Sequence, residues 1–150
     1  MPGLRLEHYN IRTTCVDATV RFYTEILELT SGYRPSTRPG AWMYDSTGTP
    51  VVHITGVDPD NPEALAQIEA HLGKRDLASL VGGGAIDHVA FEASDHDRFR
   101  AHLDRHAVAY TTREVAAMSL KQLFLTDPNG ITVELNFRAP GVDAAGRAIP

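Results

Sequence analysis

The sequence predicts an α+β fold in which one βαβββ unit is used twice. Three observations predict it: a self-similar run near the start of each half, a helix signal after each run, and a hairpin closing each half. Leu6-Glu7-His8-Tyr9-Asn10-Ile11-Arg12-Thr13 matches Ile86-Asp87-His88-Val89-Ala90-Phe91-Glu92-Ala93 as apolar, acidic, His and then a strand-like stretch, and 80 residues separate His8 from His88. Self-similarity at a fixed offset is the signature of a duplicated structural unit.

The elements follow in order. After the first strand, Asp17 opens a helix over VDATVRFYTEILEL, with Val16, Val20, Tyr23 and Leu27 as its apolar stripe. After the matching strand of the second half, Ser94 or Asp95 opens a helix over SDHDRFRAHLDRHAV, with Phe99, Leu103 and Ala107 as the stripe. Acids in the first turn suit the helix dipole, and the stripes should cover a sheet. The first hairpin runs through Trp42-Met43-Tyr44, turns at Asp45-Ser46-Thr47-Gly48 and returns as Pro50-Val51-Val52-His53-Ile54. The second runs through Gln122-Leu123-Phe124-Leu125, turns at Asp127-Pro128-Asn129-Gly130 and returns as Ile131-Thr132-Val133-Glu134-Leu135. Asp, Asn, Pro and Gly are the residues tight turns use.

The boundaries are then 4–56 for the first module, 57–83 for a connector, 84–137 for the second module and 138–150 for a tail, all in a single domain. The connector holds a helix over 63–72, with Asn61 as N-cap, Pro62 at the first position and Gly73 at the end, then a loop closing in Gly82-Gly83-Gly84. Loop and tail are not expected to carry chemistry.

Composition narrows the function. The 150 residues are 43% hydrophobic, enough for a continuous core, and 14 Lys+Arg against 19 Asp+Glu give a net charge of −5. That excess of acid argues against nucleic acid as a partner. Cys15 is the only cysteine, which excludes an internal disulfide and a thiolate zinc site. No run approaches the roughly 18 apolar residues of a membrane span, and the opening residues lack a signal-peptide core. The expectation is a cytoplasmic protein acting on a small molecule.

GAIDHVAFEA (84–93) and QLFLTDPNGITVELNF (122–137) carry a resemblance to the vicinal oxygen chelate superfamily of glyoxalases, extradiol dioxygenases and bleomycin- or fosfomycin-resistance proteins, and it extends over residues 4 to 137. The resemblance implies that the two modules curl into a mixed-sheet cup around one divalent metal, with His8, His88 and Glu134 as ligands. It also implies a homodimer, the cup being built from one chain or from two.

The residues support a metal independently. In the last strand Thr132, Glu134 and Asn136 share one face while Ile131, Val133, Leu135 and Phe137 share the other. A lone acid inside so apolar a strand is costly unless paired. Two neutral imidazoles and a carboxylate make a facial set that suits Fe(II), the favoured ion, and accepts Mn, Co, Ni or Zn. The spacing from His8 to His53 is 45 residues and from His88 to Glu134 is 46, so His53 is the repeat equivalent of Glu134. His71, His96, His102 and His106 lack this context and read as solvated helix faces.

His53 bears on the reaction. At its position, glyoxalases and epimerases of the superfamily place a fourth ligand, usually Glu or Gln, and extradiol dioxygenases keep an acid–base histidine. The residue type favours an extradiol-type dioxygenase, an oxidoreductase, acting on a small aromatic vicinal diol with His53 as its catalytic acid–base group. The alternative is a glyoxalase- or epimerase-like lyase or isomerase with His53 as fourth ligand, and the third reading is a metal-free binding protein of the bleomycin-resistance kind. One departure stands against the first: Phe124 occupies the place, ten residues before the carboxylate, where extradiol enzymes of this pattern carry a tyrosine. Tyr33, Tyr44 and Tyr110 are the other phenols on offer. Trp42 and Phe124 are candidates to sandwich a planar substrate, and Arg34 to hold a substrate carboxylate.

Overall fold

The computed structural model describes residues 3–74 and 76–150; Met1, Pro2 and the connector's Arg75 lie outside them. The chain forms two compact units, Met1–Leu80 and Val81–Pro150.

The first unit contains β1 (Tyr9–Thr13), α1 (Val16–Arg21), β2 (Thr30–Gly32), β3 (Gly40–Tyr44), β4 (Pro50–Gly56) and α2 (Pro62–Leu72). Its four strands form a mixed sheet in the order β1-β4-β3-β2, with β1 parallel to β4 and the other pairs antiparallel. The second unit contains β5 (Val89–Ala93), α3 (His96–Arg105), β6 (Tyr110–Val115), β7 (Leu120–Thr126) and β8 (Thr132–Arg138). Its order, β5-β8-β7-β6, with β5 parallel to β8, repeats the first connection for connection. The predicted βαβββ duplication is therefore the observed fold.

Strand parity sorts the side chains. Ile11, Met43, Val52 and Ile54 are buried on one face of the first sheet, and Leu123, Leu125, Val133, Leu135 and Phe137 on one face of the second. The opposite faces carry His53 and Glu134, so the core orients the candidate donors by simple alternation. The two hairpin turns are built alike. Asp45 Oδ1 accepts the backbone N–H groups of Thr47 and Thr49, and Asp127 Oδ1 accepts those of Asn129 and Ile131. Each turn ends on a glycine with φ of 79°. Asn61 caps α2 as expected, accepting from the Glu63 and Ala64 backbone N–H groups.

Five details differ from the sequence reading. The helix expected to run on to Leu29 is α-helical only through Arg21 and continues as a π turn over Phe22–Ile26, with Cys15 rather than Asp17 before its first residue. The wider turn aims Phe22, Tyr23, Ile26 and Leu27 together into the core, a broader stripe than strict helical spacing gives. Ala107 leaves the stripe, because α3 stops at Arg105 and Ala107 adopts a φ of 53° in the exposed turn beyond. His102 is buried at 7% exposure, its ring against Phe99 and His106, because it falls one turn after Phe99 and beside Leu103 on the covered stripe. His96 is half-buried edge-on to Phe137 rather than solvated. The connector loop, in turn, contains a short 3₁₀ turn over Leu77–Leu80.

Candidate functional site

Each unit brings one pair of candidate donors together. His8 and His88 stand one residue before β1 and β5, and each is followed across its parallel partner strand by His53 in β4 and Glu134 in β8. The acid in front of each histidine engages its ring: Glu7 Oε2 lies 3.1 Å from His8 Nδ1 and Asp87 Oδ2 lies 2.8 Å from His88 Nδ1. Such an acceptor favours the proton on Nδ1, which leaves the Nε2 lone pair open to an ion or a proton. The acidic residue in the repeated apolar–acidic–His run thus has a chemical task that the sequence showed only as a pattern.

In the first unit the imidazole of His53 lies between two rings. Its centroid is 4.0 Å from that of Trp42, with the planes 5° apart, and 3.7 Å from that of His8, with the planes 19° apart. Trp42 and His53 are direct cross-strand partners, which sets up the stack. His53 Nε2 is buried without a hydrogen-bond partner. Burial holds the His53 pKa below its ordinary 6.5, and the positive charges of His8 and Arg34 push it the same way. The ring is therefore neutral near neutral pH, with a nitrogen free to bind an ion or take a proton.

In the second unit His88 Nε2 lies 3.0 Å from Glu134 Oε2. Glu134 is 7% exposed, and its other oxygen accepts a 2.7 Å hydrogen bond from Gln122 Nε2. The hydrogen bond to Asp87 raises the His88 pKa above 6.5, and the Glu134 carboxylate adds to it. His88 and Glu134 form a charge-assisted hydrogen bond whenever the imidazole is protonated. Two ligands of one ion at about 2.0–2.2 Å each would also stand about 3 Å apart, so the spacing of this pair is compatible with a shared divalent ion. The orphaned nitrogen of His53 and the close His88–Glu134 pair are each compatible with a divalent ion.

Among the described residues no group of three or more His, Cys, Asp or Glu side chains is gathered so as to hold a metal; the structure brings together His8 with His53, and His88 with Glu134. Phe124 is edge-on to His88 at 6.4 Å and is Glu134's cross-strand partner. Arg34 is half-buried and turned into its own loop, donating from Nη1 to the carbonyls of Ser36 and Arg38, while its Nε is buried without a partner. Of the alternative phenols, Tyr44 donates to the Tyr33 carbonyl, Tyr110 donates to Asp104, and Tyr33 is 77% exposed. A cavity of about 830 Å³ in the first unit lies against Arg12, Arg38, Asp58, Glu63 and Gln67 and is lined by neither His8 nor His53. Gln122 escaped the sequence reading, because only the β7–β8 register reveals that its amide reaches Glu134.

The sequence matches the family model described as Glyoxalase/Bleomycin resistance protein/Dioxygenase superfamily over residues 5–135. The chain belongs to this superfamily. Solved structures agree on the fold. A glyoxylase/bleomycin resistance protein/dioxygenase domain from Frankia sp. EAN1pec is 19% identical with a TM-score of 0.62, covering 94% of this chain and 95% of that one. A glyoxalase/dioxygenase from Nostoc punctiforme is 20% identical with a TM-score of 0.63, covering 90% and 91%. A lactoylglutathione lyase from Agrobacterium tumefaciens is 14% identical with a TM-score of 0.60, covering 91% and 96%. Among curated proteins no sequence matches. Among the described residues no helix is long and apolar enough to cross a membrane.

Proposed function

We propose that this superfamily member is a metal-dependent enzyme in which His8, His88 and Glu134 serve one divalent ion, Fe(II) by preference, and His53 acts beside it as an acid–base group in extradiol-type oxidation of a small aromatic diol. The observation that carries the reading is the neutral, unpartnered imidazole of His53 in the repeat position of Glu134. A divalent ion held by His8, His88 and Glu134 would supply Lewis-acid and redox chemistry toward a vicinal diol. His53 takes the proton of a substrate hydroxyl on its free Nε2 and returns it later. Trp42 keeps that ring upright through the stack, and His88 is oriented by Asp87. Phe124 supplies an apolar edge for a planar ring, and Arg34 a cation for a substituent carboxylate.

A second reading rests on Phe124. Without a phenol at that position, a glyoxalase- or epimerase-like isomerisation in which His53 is a fourth ligand fits the donors equally in charge, since three imidazoles and one carboxylate leave two positions for a bidentate substrate. The cytoplasm and a homodimer belong to the same proposal. Leu6 and Ile86, 85% and 64% exposed at repeat-equivalent positions, offer apolar surface for pairing.

His53→Gln decides between the two chemistries. Protein reconstituted anaerobically with Fe(II) is assayed for oxygen uptake and ring-fission absorbance on a catechol panel, and protein loaded with Ni(II) or Zn(II) for isomerisation of hemithioacetals. Full metal content with a fall in turnover of about 10²–10⁴ supports the acid–base role. Loss of metal from His53→Gln, with isomerase activity in the parent protein and no oxygen uptake with any diol, replaces it by the ligand role.

A further inference from the structure

The carboxylate of Glu134 is not held by histidine alone. Gln122, on β7, is 7% exposed and uses both hydrogens of its amide: Nε2 donates to Glu134 Oε1 at 2.7 Å and to Asn136 Oδ1 at 3.0 Å. The register explains the reach, since Gln122 pairs with Asn136 and Phe124 with Glu134, which places Gln122 one diagonal step from the carboxylate on the same face of the sheet. Its Oε1 is buried with no partner. Turning the amide over would set that oxygen against two oxygen acceptors, Glu134 Oε1 and Asn136 Oδ1, so the orientation is fixed by its neighbours. A buried amide that leaves its acceptor unused while spending both hydrogens is placed for donation.

The duplicated fold supplies a comparison. In the first unit the position equivalent to Glu134 is His53, the position equivalent to Asn136 is Thr55, and the residue paired with Thr55 on β3 is Gly40. No side chain stands there to donate. The amide is present where the donor is a carboxylate and absent where it is an imidazole.

We infer that Gln122 is a positioning residue for metal binding: its amide pins Glu134 Oε1 and so presents Oε2, on the His88 side, as a single-oxygen ligand. The inference rests on the proposal that Glu134 is a ligand and adds a residue to it. With the amide removed, the carboxylate is free to rotate, and loss of such an outer hydrogen bond typically weakens metal affinity by about 10–100-fold.

Binding of Co(II) to metal-free protein, measured by calorimetry with unfolding midpoints in urea alongside, tests it on Gln122→Met, which keeps the length and removes the donor, and on Glu134→Gln. The expected result is Co(II) affinity reduced by about 10–100-fold in Gln122→Met protein that remains folded without metal, its urea midpoint lowered by loss of the hydrogen bond to the buried carboxylate. Should Gln122→Met fail to fold, Gln122→Asn retains an amide but withdraws it by one methylene, and the same loss is expected. Affinity as in the parent protein in the folded variant, while Glu134→Gln loses binding, overturns the role of Gln122 and leaves the ligand assignment standing. Parent protein that takes up no Co(II), or takes it up equally well in Glu134→Gln, overturns the ligand assignment and the inference with it.

Discussion

Replacing Glu134 by leucine separates a functional acid from a structural one. The carboxylate is 7% exposed and lies among Phe124 and Ala90 across the strand pairs, with one amide donor and one imidazole as compensation. Leucine of similar size removes a buried charge and gains apolar contact, about 1.5–3 kcal/mol for a buried side chain of that type. Against it stands the Gln122 amide, which loses one of two acceptors, a cost of about 1–3 kcal/mol for a buried donor left without its partner. His88 adds little, because its side chain is 38% exposed and can release its proton to solvent. The terms offset, and the metal-free protein should unfold in urea within about 1 kcal/mol of the parent. Leu123→Ala calibrates the assay: that side chain is 0% exposed, and its truncation should cost about 2–5 kcal/mol. With Co(II) at a hundred times its dissociation constant the parent should gain about 2.7 kcal/mol and Glu134→Leu nothing. A metal-free Glu134→Leu as unstable as Leu123→Ala would refute the reasoning, because the acid would then be a structural keystone whose burial needs no ion.

The pH dependence of the metal-free protein should have two flanks. His53 is held below 6.5, so between its lowered value and 6.5 the unfolded chain binds more protons and stability is lost as pH falls; His88 is held above 6.5, so its contribution is complete below 6.5 and lost as pH rises through its raised value. Urea midpoints across pH 5–8 should show His53→Gln flattening the acid side and His88→Gln the alkaline side, and unchanged profiles in both variants would reject the assigned environments. Gly40→Ala should cost about 3 kcal/mol or more, since φ is 145° and an added Cβ would lie 2.1 Å from the Ile54 carbonyl oxygen, whereas Gly48→Ala, at φ 79° with open space around it, should cost only about 1–2 kcal/mol for the left-handed backbone. Equal unfolding midpoints for the two glycine variants would show that the β3–β4 contact yields.

The duplication was legible because every part of it is local. The His-bearing runs, the Asp-led turns and the parity of His53 and Glu134 each need only neighbouring residues and a period of two. The unread parts depend on what is packed against what. His102 sits amid charges in SDHDRFRAHLDRH, and its burial follows from a stripe that α3 shares with Phe99 and Leu103. The π turn over Phe22–Ile26 exists because four large apolar residues are drawn inward together, which a fixed helical period does not express. Trp42 and Phe124 stand at comparable places in the two hairpins, but only the register reveals that one face of Trp42 is given to His53. Gln122 carried no signal at all, since a lone glutamine in an apolar strand has meaning only once its diagonal neighbour is known.

The two halves differ where their charges differ. The carboxylate in the second half is buried and needs compensation, and it receives the imidazole of His88, itself braced by Asp87, and an amide from Gln122. The imidazole in the first half is half-buried, with its Nε2 buried, and needs none so long as it is neutral; flat rings lie on either side of it, the Arg34 cation is nearby, and glycine stands where the amide would be. An unmet buried acceptor lowers stability, and an ion or a proton supplied to His53 Nε2 would meet it. The fold leaves Nε2 of His53 unmet while supporting every other donor in the set. That asymmetry, built on one repeated template, is what the proposed role of His53 toward an ion or a substrate proton requires.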